Sequence, residues 1–360
     1  MGNGVCCSES VNGCHDFYSC NSSESSSADH LVVMVNGILG SAADWQFAAQ
    51  QFVEMLRDKV FVHRMEFPCS ERNAAMLTLD GVDVMGERLA AEVHELINHK
   101  PNLQKISFVA HSVGGLVARF AIGILYAPPK EQSSEDSSAK ACEKKARATI
   151  CGLEPMNFIT VATPHLGSRG NKQVPFLFGV PLLEKLAGHV VHLILKRTGQ
   201  HLFLVDNDEG KPPLLRRMVE DYGEYYFMSA LCAFRRRVAY ANVGYDNIVG
   251  WRTSSIRCNS QLPKWEDSIH EKYPHIVYEE HCKAYDAEKC DFVSPEESGS
   301  DKIEAELVAA LSRVSWEKVD VSFHSCRQRL AAHNVIQVKD HTMHMEGADV
   351  IQHMIDHFLL

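Results

Sequence analysis

Four things are scarce in this 360-residue chain, and each scarcity closes a class of function. No apolar run reaches the roughly 18 to 20 residues that cross a bilayer, so no membrane-spanning helix is expected. Positive charge is in the minority: 36 Lys and Arg against 46 Asp and Glu leave a net charge of −10. That balance argues against a nucleic-acid partner, because phosphate binding needs concentrated cations. The one compact basic run, Arg235-Arg236-Arg237, stands before an apolar strand-like segment and reads as a solvated strand entrance. Cysteine is present 12 times, yet no CxxC pair occurs, which argues against a zinc ribbon or a thioredoxin-like centre. No secretory leader is visible, since residues 1–30 contain neither Lys nor Arg and no apolar core segment. Reduced thiols in a cytoplasmic setting are the expectation.

What is present is ordinary globular material: 45% apolar and 23% charged residues, enough for a sizeable core. Residues 1–29 form a Ser-rich tail without periodicity, read as disordered and outside the fold. From residue 30 to 360, short β-branched runs alternate with helical spacing. Strands are expected at His30–Val35, Val60–Met65, Ile106–Ala110, Phe158–Ala162, Val238–Val243 and Val319–Phe323. Helices are expected over about Asp44–Arg57, Asp80–Asn98, Gly114–Tyr126 and Gly347–Leu360. Three segments break the rhythm: a disordered insertion at 127–150, a helical cap or lid region at 171–235, and a polar insertion at 252–315. The alternation implies α/β architecture, a mostly parallel sheet with helices on both faces, and chemistry in the loops after the strands.

The sharpest local signal is Ala110-His111-Ser112-Val113-Gly114-Gly115. It joins a strand directly to a helix, the context a nucleophile elbow requires, and that context points to the α/β-hydrolase fold. Small residues flank Ser112 because the bend is cramped; Ala110 stands where the usual motif has Gly. A serine nucleophile needs a base oriented by an acid, and in this fold the order along the chain is Ser, acid, His. Asp246, after the strand-like Tyr240–Val243, fits the acid. The base is left open by spacing alone: His324, His333, His341 and His344 all follow the last strand, with His333 and His344 best placed. By position, the oxyanion donors are the backbone N–H groups of Ile38, in the Gly-rich loop after the first strand, and Val113. The 19 histidines raise the question of a metal, but His353 and His357 lack HExxH or clustered carboxylates and read as a solvated helix face, with His341 near them in sequence. No cofactor is expected.

Taken together, VNGILGSAADW, AHSVGGLVARF, TVATPHLGS and ANVGYDNIVGWRTSSI resemble the eukaryotic "putative serine esterase" family, a lipase-like group, and in particular its plant-type members. The resemblance runs from about residue 30 to the C-terminus, apart from the two polar insertions. It implies a Ser–Asp–His triad on an α/β-hydrolase fold, with the family's motif residues falling on Ser112, Asp246 and, in AHNVIQVK, His333. That correspondence selects His333 over His344. The family's His-Gly ahead of the oxyanion loop is Asn36-Gly37 here, which bears on fine positioning of the hole.

The expected activity is hydrolysis of a carboxylic ester, a lipid or a small ester, through an acyl-enzyme. The alternatives are an acyltransferase on the same triad and a non-catalytic binding protein that keeps the fold as a pocket. Leu182 to Arg197 carries one apolar face and reads either as a lid or as a core helix. Gly2 with Cys6 and Cys7 offers two lipid signals, which together would support peripheral membrane association; an unmodified tail is the competing reading.

Overall fold

Strand β1 (His30–Val35) shows how the core is divided. All six of its residues are buried. Leu31, Val33 and Val35 pack into one apolar cluster, while Val32 and Met34 pack into a second. A strand points successive side chains to opposite faces, so a run that is apolar throughout marks a strand covered on both. The computed structural model describes residues 28–57, 59–64, 72–129, 147–168, 195–266, 270–285 and 299–360.

Around β1 lies a seven-stranded sheet in the order β2-β1-β3-β6-β7-β9-β8. Its other members are β2 (Val60–Arg64), β3 (Lys105–His111), β6 (Glu154–Val161), β7 (Arg236–Asn242), β8 (Ile276–Cys282) and β9 (Trp316–Val321). All neighbours pair in parallel except β8, which runs antiparallel to β9 at the edge. Strands β4 (Tyr126–Ala127) and β5 (Thr149–Ile150) form a separate antiparallel pair.

The helices among the described residues include α1 (Gln46–Met55), α2 (Val82–His99), α3 (Gly114–Leu125), α4 (Leu214–Arg217), α5 (Phe227–Ala233), α6 (Trp251–Ser255), α7 (Gly299–Leu311), α8 (Ala332–Val335) and α9 (Ala348–Asp356). Residues of α2, α3, α5 and α7 fill the first cluster. Those of α1, α8 and α9 fill the second. A mostly parallel sheet clothed on both faces, with a strand–bend–helix after β3, is the α/β-hydrolase arrangement. Among the described residues no helix is long and apolar enough to cross a membrane.

Two segments differ from the sequence reading. Residues 252–315 are more than a polar insertion, because they supply β8 and α7. Strand β8 escapes an apolar-run search because it is an edge strand whose Glu279, Glu280 and His281 face solvent. The stretch 127–150, read as disordered, begins and ends in the β4–β5 pair, with 130–146 outside the described residues. Gly2, Cys6 and Cys7 lie outside the described residues too, as does the lid candidate Leu182 to Arg197 up to position 194. Residues 195–202 are helical. There Arg197 joins Asp83 at the start of α2 to Asp208 through its guanidinium, at 2.5 Å and 2.8 Å.

Candidate active site

The bend after β3 is as sharp as the sequence requires. Ser112 adopts φ +53°, a left-handed conformation that costs a residue with a Cβ on the order of 1–2 kcal/mol. The surroundings hold it there: its N–H donates to the Val161 carbonyl of β6 at 2.8 Å, while α3 begins two residues later. Glycine is needed beside it for close approach. A Cβ on Gly114 would lie 2.5 Å from the Asn36 carbonyl oxygen and 2.7 Å from that of Val35, and one on Gly37 would lie 2.9 Å from the Ser112 Cβ. The oxyanion loop and the elbow thus touch backbone to backbone.

The structure brings three of the candidate side chains together. His333 Nε2 is 3.1 Å from Ser112 Oγ, and His333 Nδ1 is 3.0 Å from Asp246 Oδ2. All three residues are buried. Asp246 sits just after β7 and is held from four directions: His333, the Asn242 amide at 2.9 Å, and the N–H groups of Ile248 and Val249 at 3.0 Å and 2.8 Å. Burial alone would raise its carboxyl pKa, but the His333 charge and the bonds from His333, Val249 and Asn242 outweigh that and hold it below 3.8. An ionised Asp246 accepts the Nδ1 proton, which leaves Nε2 of His333 bare towards the serine hydroxyl.

Two supporting residues were not legible as such in the sequence. His111 Nε2 donates to the His333 carbonyl at 2.8 Å. Burial first, and then the His333 charge, push the His111 pKa well below 6.5, so its ring is neutral and able to hold that tautomer. Asn242, at the end of β7, clamps the acid. The only sequence signal for either was its position, one residue before the nucleophile or at a strand's carboxyl end.

The remaining candidates separate clearly. The His344 ring accepts the Asp340 N–H at 3.1 Å and so closes its own turn. His324 bonds Ser322 Oγ at 2.8 Å, and His341 is exposed. In the loop after β1, the Leu39 N–H is bound by Thr78 Oγ1 and that of Gly40 by the Gly37 carbonyl. The N–H groups of Ile38 and Val113 have no acceptor among the described residues. Two unsatisfied donors beside a nucleophile are the raw material of an oxyanion hole.

Residues of the GWRTSSI motif and the Arg257 that follows it support the site. Trp251 Nε1 and Arg257 both donate to Asp320 on β9, at 2.7 Å and 2.8 Å, and Thr253 Oγ1 ties Leu166 and Gly167 of the loop after β6 to α6. They fix the chain that carries Asp246. His353 is bound to the Tyr240 hydroxyl at 2.8 Å. Among the described residues the one group with metal-like spacing is Asp83, His201 and Asp208. The Arg197 guanidinium already bridges both of its carboxylates, so it does not suit a cation.

A family model described as "Putative serine esterase (DUF676)" matches residues 25–259, well over half of the chain. A putative lipase of Saccharomyces cerevisiae is 27% identical over 244 residues, covering 63% of this chain and 32% of its own length. One of Schizosaccharomyces pombe is 28% identical over 255 residues, covering 69% and 28%. The chain therefore spans about a third of the length of the curated relatives it matches. Among solved structures, phospholipase PlaB from Legionella pneumophila aligns with a TM-score of 0.34 at 13% identity, covering 60% of this chain and 40% of that one.

Proposed function

Since the chain belongs to the "putative serine esterase" family, we propose that it is a carboxylic ester hydrolase with Ser112 as nucleophile, His333 as general base and Asp246 as the acid that orients it. His333 Nε2 takes the hydroxyl proton as Ser112 Oγ attacks the ester carbonyl. The negative oxygen is received by the N–H groups of Ile38 and Val113, and the imidazolium returns its proton to the leaving alcohol. Water, activated by the same ring, then releases the acid from the acyl-enzyme. No step calls for a metal or an organic cofactor.

The observation that carries this reading is the unbroken series Ser112 Oγ–His333 Nε2 and His333 Nδ1–Asp246 Oδ2 at 3.1 Å and 3.0 Å, assembled from the ends of β3 and β7 and from helix α8. Lipid esters are the favoured substrate class because the yeast relatives carry lipase names. The motif set quoted above favours the plant-type members within the family. The test is covalent labelling by a fluorophosphonate probe. Wild type should be labelled at Ser112, and Ser112→Ala should lose both labelling and ester hydrolysis. Equal labelling of the two proteins would overturn the assignment.

A further inference from the structure

A second nucleophile–imidazole–carboxylate series exists elsewhere in the molecule. Cys326 lies in the loop between β9 and α8, and its Sγ is 3.1 Å from His275 Nε2. Across the ring, His275 Nδ1 is 2.8 Å from Asp349 Oδ1 on α9. The other oxygen of Asp349 accepts the backbone N–H of His275 at 2.9 Å, so the carboxylate is fixed by two bonds to one residue. A carboxylate at Nδ1 keeps the proton on that nitrogen and leaves Nε2 as an acceptor facing sulfur. The Phe323 ring covers the imidazole, with centroids 4.9 Å apart. His275 is only partly exposed, Cys326 is half-buried, and neither takes part in the Ser112 site.

The charges around the sulfur decide how such a thiol would react. Burial, followed by the negative charges of Glu346 and Asp349, pushes the Cys326 thiol up. The resting sulfur therefore keeps its proton, and an exposed cysteine with no base would have the advantage in thiolate fraction. Reactivity at Cys326 has to come from proton transfer during attack, which is what the His275–Asp349 pair is built to provide.

We propose that Cys326, with His275 as its base and Asp349 orienting that base, is a site of covalent modification by small disulfides. The Cys326 sulfur attacks one sulfur of R–S–S–R while His275 Nε2 accepts its proton. The new sulfur–sulfur bond forms as the old one breaks, and the departing R–S⁻ takes the proton back from His275 and leaves as a thiol. The disulfide is the oxidant, so one thiol is consumed, one is released and nothing else is required. The modified loop runs directly into α8: the Arg329 N–H is bound to the Cys326 carbonyl at 3.3 Å, and His333 follows four residues later.

The experiment uses the full chain and hydroxyethyl disulfide at neutral pH, with acid quenching and mapping of modified peptides by mass. Cys232 is the internal reference, because it is more exposed than Cys326. Cys326 should react at least about tenfold faster than Cys232, in line with the gain from a positioned base. His275→Gln should remove that advantage while leaving the Cys232 rate unchanged, with cooperative melting as the check on folding. Ser112→Ala should retain the full Cys326 rate, which separates this site from the esterase reading. A Cys326 rate no faster than that of Cys232 in the wild-type protein overturns the proposal without recourse to any variant. So does a folded His275→Gln protein that keeps the advantage.

Discussion

At the residue scale, the site depends on a few atoms held against their preferences. Ser112 keeps a left-handed backbone, and Asp246 keeps its charge in a place where burial opposes it. The second of these can be tested with little change in shape. Asp246→Asn leaves the volume in place, but it removes the charge that fixes the His333 tautomer and turns one of the two accepting oxygens into a donor. We expect kcat to fall by about 10⁴-fold with little change in KM, measured on a soluble chromogenic ester. A fall of less than about tenfold would mean that the acid lies elsewhere. That Ser112 and Asp246 each follow a strand end was legible in the sequence, because each has local chemistry around it. The base was not separable from His344 by spacing, since the choice depends on how a loop more than 200 residues downstream folds back. Only the resemblance to a family selected it.

At the element scale, that fold-back has a visible cause. Helix α8 carries His333, and Gly347, at the start of α9, lies against its last turn, so closely that a Cβ there would fall inside the Val335 carbonyl oxygen. Gly347→Ala should therefore push α8 and α9 apart. Overpacking of this kind costs about 1–3 kcal/mol, and the predicted result is a lower melting temperature together with weakened fluorophosphonate labelling at Ser112. Unchanged labelling at unchanged melting temperature would show that α8 does not depend on this close approach. The sequence displayed α9 through its apolar stripe, but it gave no sign of which backbone the glycine would meet. Strands β1, β3, β6 and β7 were legible for the opposite reason: each is buried along most of its length and carries an apolar run, whereas β9 buries Lys318 and Asp320 and was read only from Val319 onward. Strand β8, exposed to water on both faces over Glu279 to His281, carried too little of that signal. Helix α7 was hidden in the same polar region although Leu307, Val308 and Leu311 reach the core.

At the scale of the whole molecule, buried histidines set the response to acid. Burial lowers the pKa of His30 from 6.5 to about 4, and holds those of His111 and His165 well below 6.5. An unfolded chain binds these protons at about pH 6.5, whereas the folded chain refuses them. Stability from this source is complete above 6.5 and declines as the pH falls towards the folded values. For His30 alone the change is about 3 kcal/mol at 1.36 kcal/mol per pH unit. The melting temperature should be flat from about pH 7 to 8 and should begin to fall near pH 6, well before ordinary carboxylates titrate. A flat profile down to pH 4.5 would contradict this picture.

The distance along the chain between nucleophile and base also has a consequence for the nascent protein. Ser112 and His333 are 221 residues apart. At ribosomal elongation of about 5–20 residues per second, on the order of 10–40 s separate their synthesis. On the proposed mechanism the hydroxyl would have no proton acceptor during that interval, and the growing polypeptide would carry an unarmed serine past every ester it meets. A product of premature termination before His333 would then be inert, with reactivity switched on only once the last parallel strand and the loop beyond it have been made.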